Sequence, residues 1–254
     1  MNNVKIISIE FKKSYYLVTT NVDDYEFDED TIVKYSIFND QEFTKEEFDK
    51  IIAFNSGQVA FNKVLRYLGY GPRSKMEIIV YLKEKGIEDY KAVVKKLCEY
   101  GYIDDNKLAT ELLEYYMGQN KGPLYILKKY KEKGIDDKIA TTAIKNYTEE
   151  IELELANDVT KKELPKLTEY PIKKQQTKLY TLLISKGYHI DIARRMVEKS
   201  EFVDESSDNL KKDFEKYKQK ANKKEFNDNE LKSYIIEKLL AKGYDYKVIK
   251  TMFN

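Results

Sequence analysis

Apolar and polar residues nearly alternate over Lys5-Ile6-Ile7-Ser8-Ile9-Glu10-Phe11, and a similar β-branched and aromatic run spans 15–20. A period of two is the signature of a half-buried strand, so strands are expected at 4–11 and 15–20. The polar Lys12-Lys13-Ser14 between them suits a hairpin, and a third short strand is expected at 25–27. A two-stranded hairpin is marginal in water, so this unit is expected to dock on a helix. At Thr44-Lys45-Glu46-Glu47 the pattern changes to a capping box, in which the Thr side chain and the Glu three residues on satisfy free amides at a helix start. Everything beyond it reads as helix.

The helical part repeats. Lys-Gly-apolar occurs at Lys85-Gly86-Ile87, Lys133-Gly134-Ile135, Lys186-Gly187-Tyr188 and Lys242-Gly243-Tyr244, at spacings of 48, 53 and 56 residues. Three and seven positions before each Lys stands an apolar pair: Ile78 and Leu82, Ile126 and Tyr130, Leu179 and Leu183, Ile235 and Leu239. Gly suits the left-handed position just past a helix end, and the preceding Lys favours the negative end of the helix dipole. The apolar residue after Gly can fold back onto the helix it has left. A second helix follows each Gly, with expected core pairs Ile139 and Ala143, Ile192 and Met196, Val248 and Met252, and in the first copy Val93 and Leu97. A further helix precedes each copy, at about 59–68, 106–117, 149–162 and 209–222. The fold class expected is mainly α: tandem three-helix repeats stacked into an elongated, curved array, with a small N-terminal β-strand module.

These signals divide the chain into an acidic hairpin module (1–43), a connecting helix (44–58), repeats at 59–103, 104–147 and 148–200, a linker (201–208) and a fourth repeat (209–254). Charge follows a similar division. Lys+Arg total 45 against 44 Asp+Glu, which excludes a uniformly basic nucleic-acid binder, yet residues 1–60 carry a net −6, residues 61–147 a net +5 and residues 148–254 a net +2. An acidic head and a mildly basic body imply two kinds of surface.

Candidate chemistry is thin. The single cysteine (Cys98) cannot form an internal disulfide and the single histidine (His189) cannot supply a His-based zinc site, so no metal, cofactor or catalytic residue is expected. There is no Gly-x-x-x-x-Gly-Lys-Ser/Thr run. His189 reads as a surface or capping residue, Cys98 as a small core or semi-buried one, and Asp104-Asp105 as caps before a helix. No stretch of about 18 apolar residues and no cleavable leader pattern appears, so a soluble cytoplasmic protein with no membrane contact is expected.

Leu65-Arg66-Tyr67-Leu68, Pro72-Arg73-Ser74-Lys75-Met76-Glu77-Ile78 and Leu82-Lys83-Glu84-Lys85-Gly86-Ile87 are followed by Leu97-Cys98-Glu99-Tyr100-Gly101-Tyr102-Ile103-Asp104-Asp105, Leu108-Ala109, Lys121-Gly122-Pro123 and Lys133-Gly134-Ile135. In this order and spacing the chain resembles the RecX family of regulators of the RecA recombinase, most strongly over 59–147 and more weakly through 254. The resemblance implies a non-catalytic regulatory protein that binds RecA, chiefly as a filament on single-stranded DNA, and restrains its ATPase and strand exchange, so modulating recombination, DNA repair and the SOS response. The family is usually described with three three-helix units, whereas this chain offers a fourth Lys-Gly copy. Gly71 stands where members usually carry Arg, and Leu124, Tyr125 and Leu127 stand where basic or polar residues are common.

The candidate nucleoprotein-binding residues are Arg66, Arg73, Lys75, Lys121, Lys128, Lys129 and Lys131. Arg73 has no evident acidic partner in sequence, and solvated surface and binding contact both stand as readings. Lys121 with the free amides after Gly122 could seat a phosphate or carboxylate, or mark a plain entry to a helix with Pro at its first position. Tyr115, Tyr116, Tyr125 and Tyr130 could stack bases, although helical spacing assigns most of them to the core. The partners expected are the RecA filament and single-stranded DNA, directly (weakly alone) or through RecA, with the protein a monomer. A helical-repeat nucleic-acid binder or protein-interaction scaffold unrelated to RecA is the competing reading.

Overall fold

The computed structural model describes residues 3–223 and 226–253; residues 1–2, in the N-terminal module, and 224–225 and 254, in the fourth repeat, lie outside the described residues. The protein is mainly α, 65% helical with thirteen α-helices among the described residues. It divides into two compact units: Met1–Ala109 with Tyr130–Ile139, and Thr110–Lys129 with Ala140–Asn254.

In the first unit, β1 (Val4–Lys12), β2 (Tyr15–Thr20), β3 (Asp24–Phe27) and the two-residue β4 (Glu42–Phe43) form an antiparallel sheet in the order β3-β2-β1-β4. Pairing slips between Ile6↔Thr20 and Ser8↔Thr19, a bulge at Ile7. The extra residue lets Ile6 and Ile9 both pack inward while Ile7 stands exposed, which reconciles the Ile-Ile-Ser-Ile run with a sheet that has one buried face. Val4, Ile6, Val18 and Phe27 bury against Phe48 and Ile51, so the expected docking of the strand module on a helix is realised. A short helix that the strand pattern did not announce, α1 (Glu29–Tyr35), is capped by Asp28, whose side chain accepts from the Asp30 amide.

The supporting helix is α2 (Lys45–Leu68), opened by the expected Thr44–Glu47 capping box. It runs unbroken through residue 58, which corrects the separation of a connecting helix at 44–58 from a first repeat helix at 59. The apolar stripe is interrupted in sequence by Asn55 and Gln58, yet both are buried. Asn55 Oδ1 accepts from the Asp28 amide at 2.8 Å and the Thr31 hydroxyl at 3.0 Å, and its Nδ2 donates to the Glu26 carbonyl at 2.8 Å. Gln58 donates to Asp30 at 2.7 Å and accepts from Lys96 Nζ at 3.0 Å. Satisfied polar groups thus continue the buried face that apolar periodicity alone loses. Next come α3 (Lys75–Glu84), α4 (Tyr90–Glu99), α5 (Asp105–Gly118), α6 (Pro123–Glu132) and α7 (Asp137–Ile144).

The second unit continues with α8 (Glu149–Glu163), α9 (Ile172–Ser185), α10 (Ile190–Lys199), α11 (Ser207–Asn222), α12 (Asp228–Ala241) and α13 (Tyr246–Thr251). Its cores collect Leu179, Leu183, Tyr188, Ile192 and Met196 in one cluster, and Leu210, Phe214, Ile235, Leu239, Tyr244 and Ile249 in another.

All four Lys-Gly turns close in the same way. The four glycines have φ between 67° and 93°. The residue after each Gly donates its amide to the carbonyl five residues back: Ile87 to Leu82, Ile135 to Tyr130, Tyr188 to Leu183 and Tyr244 to Leu239, at 3.0–3.2 Å. The Gly amide donates to the carbonyl three back, which completes the Schellman pattern. Every apolar residue assigned before the four Lys is buried, and of those after Gly only Ile87 is partly open. In the second-helix column Val93, Leu97, Ala143, Ile192 and Met196 are buried as expected, but Ile139 and Met252 are half-buried and Val248 is 50% exposed, with Ala140 and Ile249 buried one residue later.

Candidate functional site

The turns that end helices also join repeats. At the first joint, the Ser74 hydroxyl donates to the Lys133 carbonyl, and Lys133 Nζ meets Glu77 at 3.1 Å. Ser74 and Glu77 are the capping box of α3, so one cap holds both its own helix and the Lys-Gly turn of the next repeat. Gly134 presses on Met76 there: a Cβ at this position would lie 2.7 Å from the Met76 side chain. Asp105 Oδ1 accepts from the Lys75 amide at 2.8 Å, while Asp104 caps α5 through the amides of Asn106 and Lys107. Burial pushes the Asp105 carboxyl above its usual range.

The second joint is centred on two backbone hydrogen bonds. The Gly122 amide donates to the Lys186 carbonyl at 2.9 Å and the Leu124 amide to the Gly187 carbonyl at 3.0 Å. Pro123 between them has no amide to offer. Of the two readings of the α6 start, these bonds favour the plain entry to a helix over an anion seat, because its amides already serve two carbonyls of the chain. The Tyr188 hydroxyl donates to the Asn120 carbonyl, and that of Tyr147 to the Lys121 carbonyl, each at 3.0 Å. At the third joint the Asn209 side-chain amide donates to the Glu169 carbonyl at 3.0 Å, and a Cβ on Gly243 would lie 3.4 Å from Lys174.

The candidate basic residues fall into two groups. In the first unit, Arg73 spreads over the Tyr67 ring at 4.6 Å, Tyr67 stacks on Tyr81 at 4.4 Å and 10°, and Lys85 stands over Tyr81 at 5.7 Å. Arg73 does have an acidic partner, Glu77 at 3.8 Å one helical turn on, which corrects the expectation from sequence. Its Nε is buried without a hydrogen bond. Arg66 and Lys75 are exposed at the end of α2 and the start of α3, and Lys131 is exposed on α6.

In the second unit, Lys121 and Lys129 lie over the Tyr125 ring at 4.6 and 5.4 Å, and Lys128 is exposed. Tyr116 meets Tyr125 edge-on at 5.3 Å, and Tyr115 meets Tyr116 at 5.1 Å. Tyr115 is 60% exposed, so the assignment of most of these tyrosines to the core holds only for Tyr130. The buried side of α5 runs through Leu108, Ala109 and Leu113, and Tyr115 points off it. Tyr130 is wholly buried, its hydroxyl donating to the Ala109 carbonyl at 2.6 Å and its pKa pushed up to about 12 by burial. Lys186, Tyr67, Tyr81 and Lys85 were missed by sequence reasoning. The signal available for Lys186 was the Lys-Gly repeat itself, which marked a helix end and gave no sign of what it docks on.

Cys98 is exposed on α4, not semi-buried as expected, and desolvation pushes its thiol pKa up, away from thiolate reactivity. His189 is exposed at the start of α10, where its backbone amide donates to Glu152 Oε1 at 2.7 Å and Nδ1 lies 2.8 Å from Oε2 of that buried carboxylate. Among the described residues no group of three or more metal-ligating side chains is found, and no helix is long and apolar enough to cross a membrane.

Fold and joints together define a tandem three-helix-repeat protein. Residues 60–102 match the family model described as RecX, first three-helix domain. The Regulatory protein RecX of Streptococcus uberis is 28% identical over 99% of both chains, and that of Listeria monocytogenes is 28% identical over 98% of this chain and 95% of its own. A crystal structure of regulatory protein RecX, 22% identical, shares the fold at a TM-score of 0.62 over 77% of this chain and all of its own. That of RecX from Lactobacillus salivarius, 28% identical, matches at 0.53 over 57% of this chain and 96% of its own. The chain is thus similar to regulatory proteins RecX along nearly its whole length.

Proposed function

We propose that this protein is a non-catalytic, cytoplasmic, monomeric regulator that binds the RecA recombinase filament on single-stranded DNA and inhibits its ATPase and strand exchange. The observation that carries the reading is the near full-length likeness to proteins named for a regulatory role, on a fold whose repeats are copied around one turn motif. The repeats 59–103, 104–147, 148–200 and 209–254 are read as modules that each add weak contacts. Several weak contacts on one chain give high effective concentration along a filament without any single strong site.

The contact residues proposed are Arg66, Arg73, Lys75 and Lys131 on the first unit and Lys121, Lys128 and Lys129 on the second. Arg66, Lys75, Lys128 and Lys131 are exposed. Arg73 is held in place by Tyr67 and Glu77, which orders its guanidinium before any partner arrives. The acidic N-terminal module, with a net −6 over residues 1–60, keeps that end off a polyanion.

A pull-down with RecA tests the reading. Retention that requires single-stranded DNA and ATP together, and that is lost on charge reversal of Arg73, Lys121, Lys128 and Lys129, supports it. Absence of binding to both RecA and single-stranded DNA would replace it with the scaffold reading.

A further inference from the structure

The Lys-Gly turn of each later repeat meets the start of a helix in the repeat before it, yet the third joint uses the polar groups of that turn differently. At the first joint Lys133 Nζ reaches across to Glu77 at 3.1 Å. At the second the Tyr188 hydroxyl reaches across to the Asn120 carbonyl at 3.0 Å. At the third both groups turn inward. Lys242 Nζ meets Asp213 of its own repeat at 2.5 Å, and the Tyr244 hydroxyl donates to the same carboxylate at 3.0 Å. The glycines agree. A Cβ would lie 2.7 Å from Met76 at Gly134 and 2.3 Å from the Tyr125 amide nitrogen at Gly187, whereas at Gly243 it would keep an ordinary 3.4 Å from Lys174. A turn whose polar groups are already satisfied within its own repeat gains little by docking.

A cavity of about 450 Å³ lies at this joint. Glu169, Tyr170 and Lys174 of the third repeat line one side, and Asn209, Lys212 and Asp213 of the fourth line the other. Walls held apart in this way forgo the dispersion contacts that close packing supplies. The Asn209 bond to the Glu169 carbonyl, which spans the joint, is exposed to solvent. The linker, by contrast, is tied to the third repeat. Gln175 Nε2 donates to the Val203 carbonyl at 2.7 Å, and the Glu205 amide donates to the Thr168 carbonyl at 2.9 Å. These ties end just before α11 begins at Ser207. The two repeats bury separate cores, Leu179, Leu183 and Ile192 in one cluster and Phe214, Ile235 and Leu239 in another, so each can move as a body.

We infer that the third joint is a hinge: the fourth repeat swings as one body about Ser206–Ser207, and the Asn209 side chain latches it against Glu169. Hinges of this kind are a few loop or element-terminal residues that absorb the change in backbone angles between packed bodies. The swing opens and closes the cavity at the start of α9 and re-aims the last repeat, while the second joint stays fixed. The device goes beyond the filament reading and does not rest on it.

Pulsed electron paramagnetic resonance on the full chain tests the hinge. Native Cys98 is replaced by Ser, and nitroxides are attached at exposed positions. Glu198→Cys with Lys232→Cys spans the third joint, and Glu114→Cys with Glu198→Cys spans the second. The distance distribution across the third joint is expected to be about twice as broad as that across the second, because the swung and latched forms are both populated. Asn209→Ala should broaden it further and leave the second-joint pair unchanged. Hydrogen exchange separates swinging from melting: the amides of α12 keep their protection in the wild type and in Asn209→Ala. Equal widths at the two joints would overturn the hinge. An Asn209→Ala width matching the wild type's would overturn the latch, and unprotected α12 amides would mean that the repeat unfolds in place of swinging. None of these outcomes bears on RecA inhibition.

Discussion

The amide of Gly122 donates to the carbonyl of Lys186 at 2.9 Å, joining the start of one helix in the second repeat to the end of another in the third. The approach is so close that a Cβ on Gly122 would sit 2.3 Å from the Gly187 backbone.

Gly122→Ala is accordingly expected to pry this joint apart. Overpacking against rigid backbone costs about 1–3 kcal/mol, seen as an earlier urea midpoint. Gly118→Ala is the matched comparison, since its added methyl meets nothing within 4 Å in the last turn of α5. It should be neutral or stabilising by about 0.5–1 kcal/mol. Equal effects of the two substitutions would deny the joint its role.

Asn55→Leu should destabilise the strand module more than any other isosteric change on α2. It leaves the Asp28 amide, the Thr31 hydroxyl and the Glu26 carbonyl without their partner. Buried groups left unpaired cost on the order of 3 kcal/mol together. Thermal melting followed in the near ultraviolet, where the clustered rings of Tyr25, Phe27 and Phe48 report on the module, checks it.

Lys186→Met should raise the melting temperature at neutral pH. The folded protein holds the Lys186 proton less tightly than the unfolded chain does, because burial and then Lys121 and Lys162 oppose the charge. The unfolded state therefore binds more protons, and stability rises as pH climbs through the lowered folded pKa toward the ordinary lysine value. Below the folded value the penalty is fully present. The wild type should gain stability through that window while Lys186→Met stays flat; parallel curves would show that Lys186 carries no penalty.

What the sequence disclosed was local. Gly after Lys, with apolar residues three and seven positions earlier, specifies a Schellman end, and all four turns adopt it. The capping boxes at Thr44 and Ser74 were equally legible, since cap and partner lie three residues apart. Long-range polar burial was not legible: Asn55 and Gln58 look like breaks in an apolar stripe until their partners on other elements are seen. The second-helix core fell one residue off in the last copy because Val248 and Ile249 are both apolar, and packing alone decides which is buried. The site was legible mainly as composition. Basic residues were visible, but the carbonyls that occupy the α6 amides, the Glu77 that pairs Arg73 and the Lys186 that crowds Lys121 depend on how repeats meet.

The most direct measurement is RecA's single-stranded-DNA-dependent ATPase, titrated with the purified protein. The account predicts inhibition that sets in below one molecule per recombinase protomer, because a chain of repeats lying along a filament touches several protomers. An undiminished hydrolysis rate at equimolar protein would contradict it.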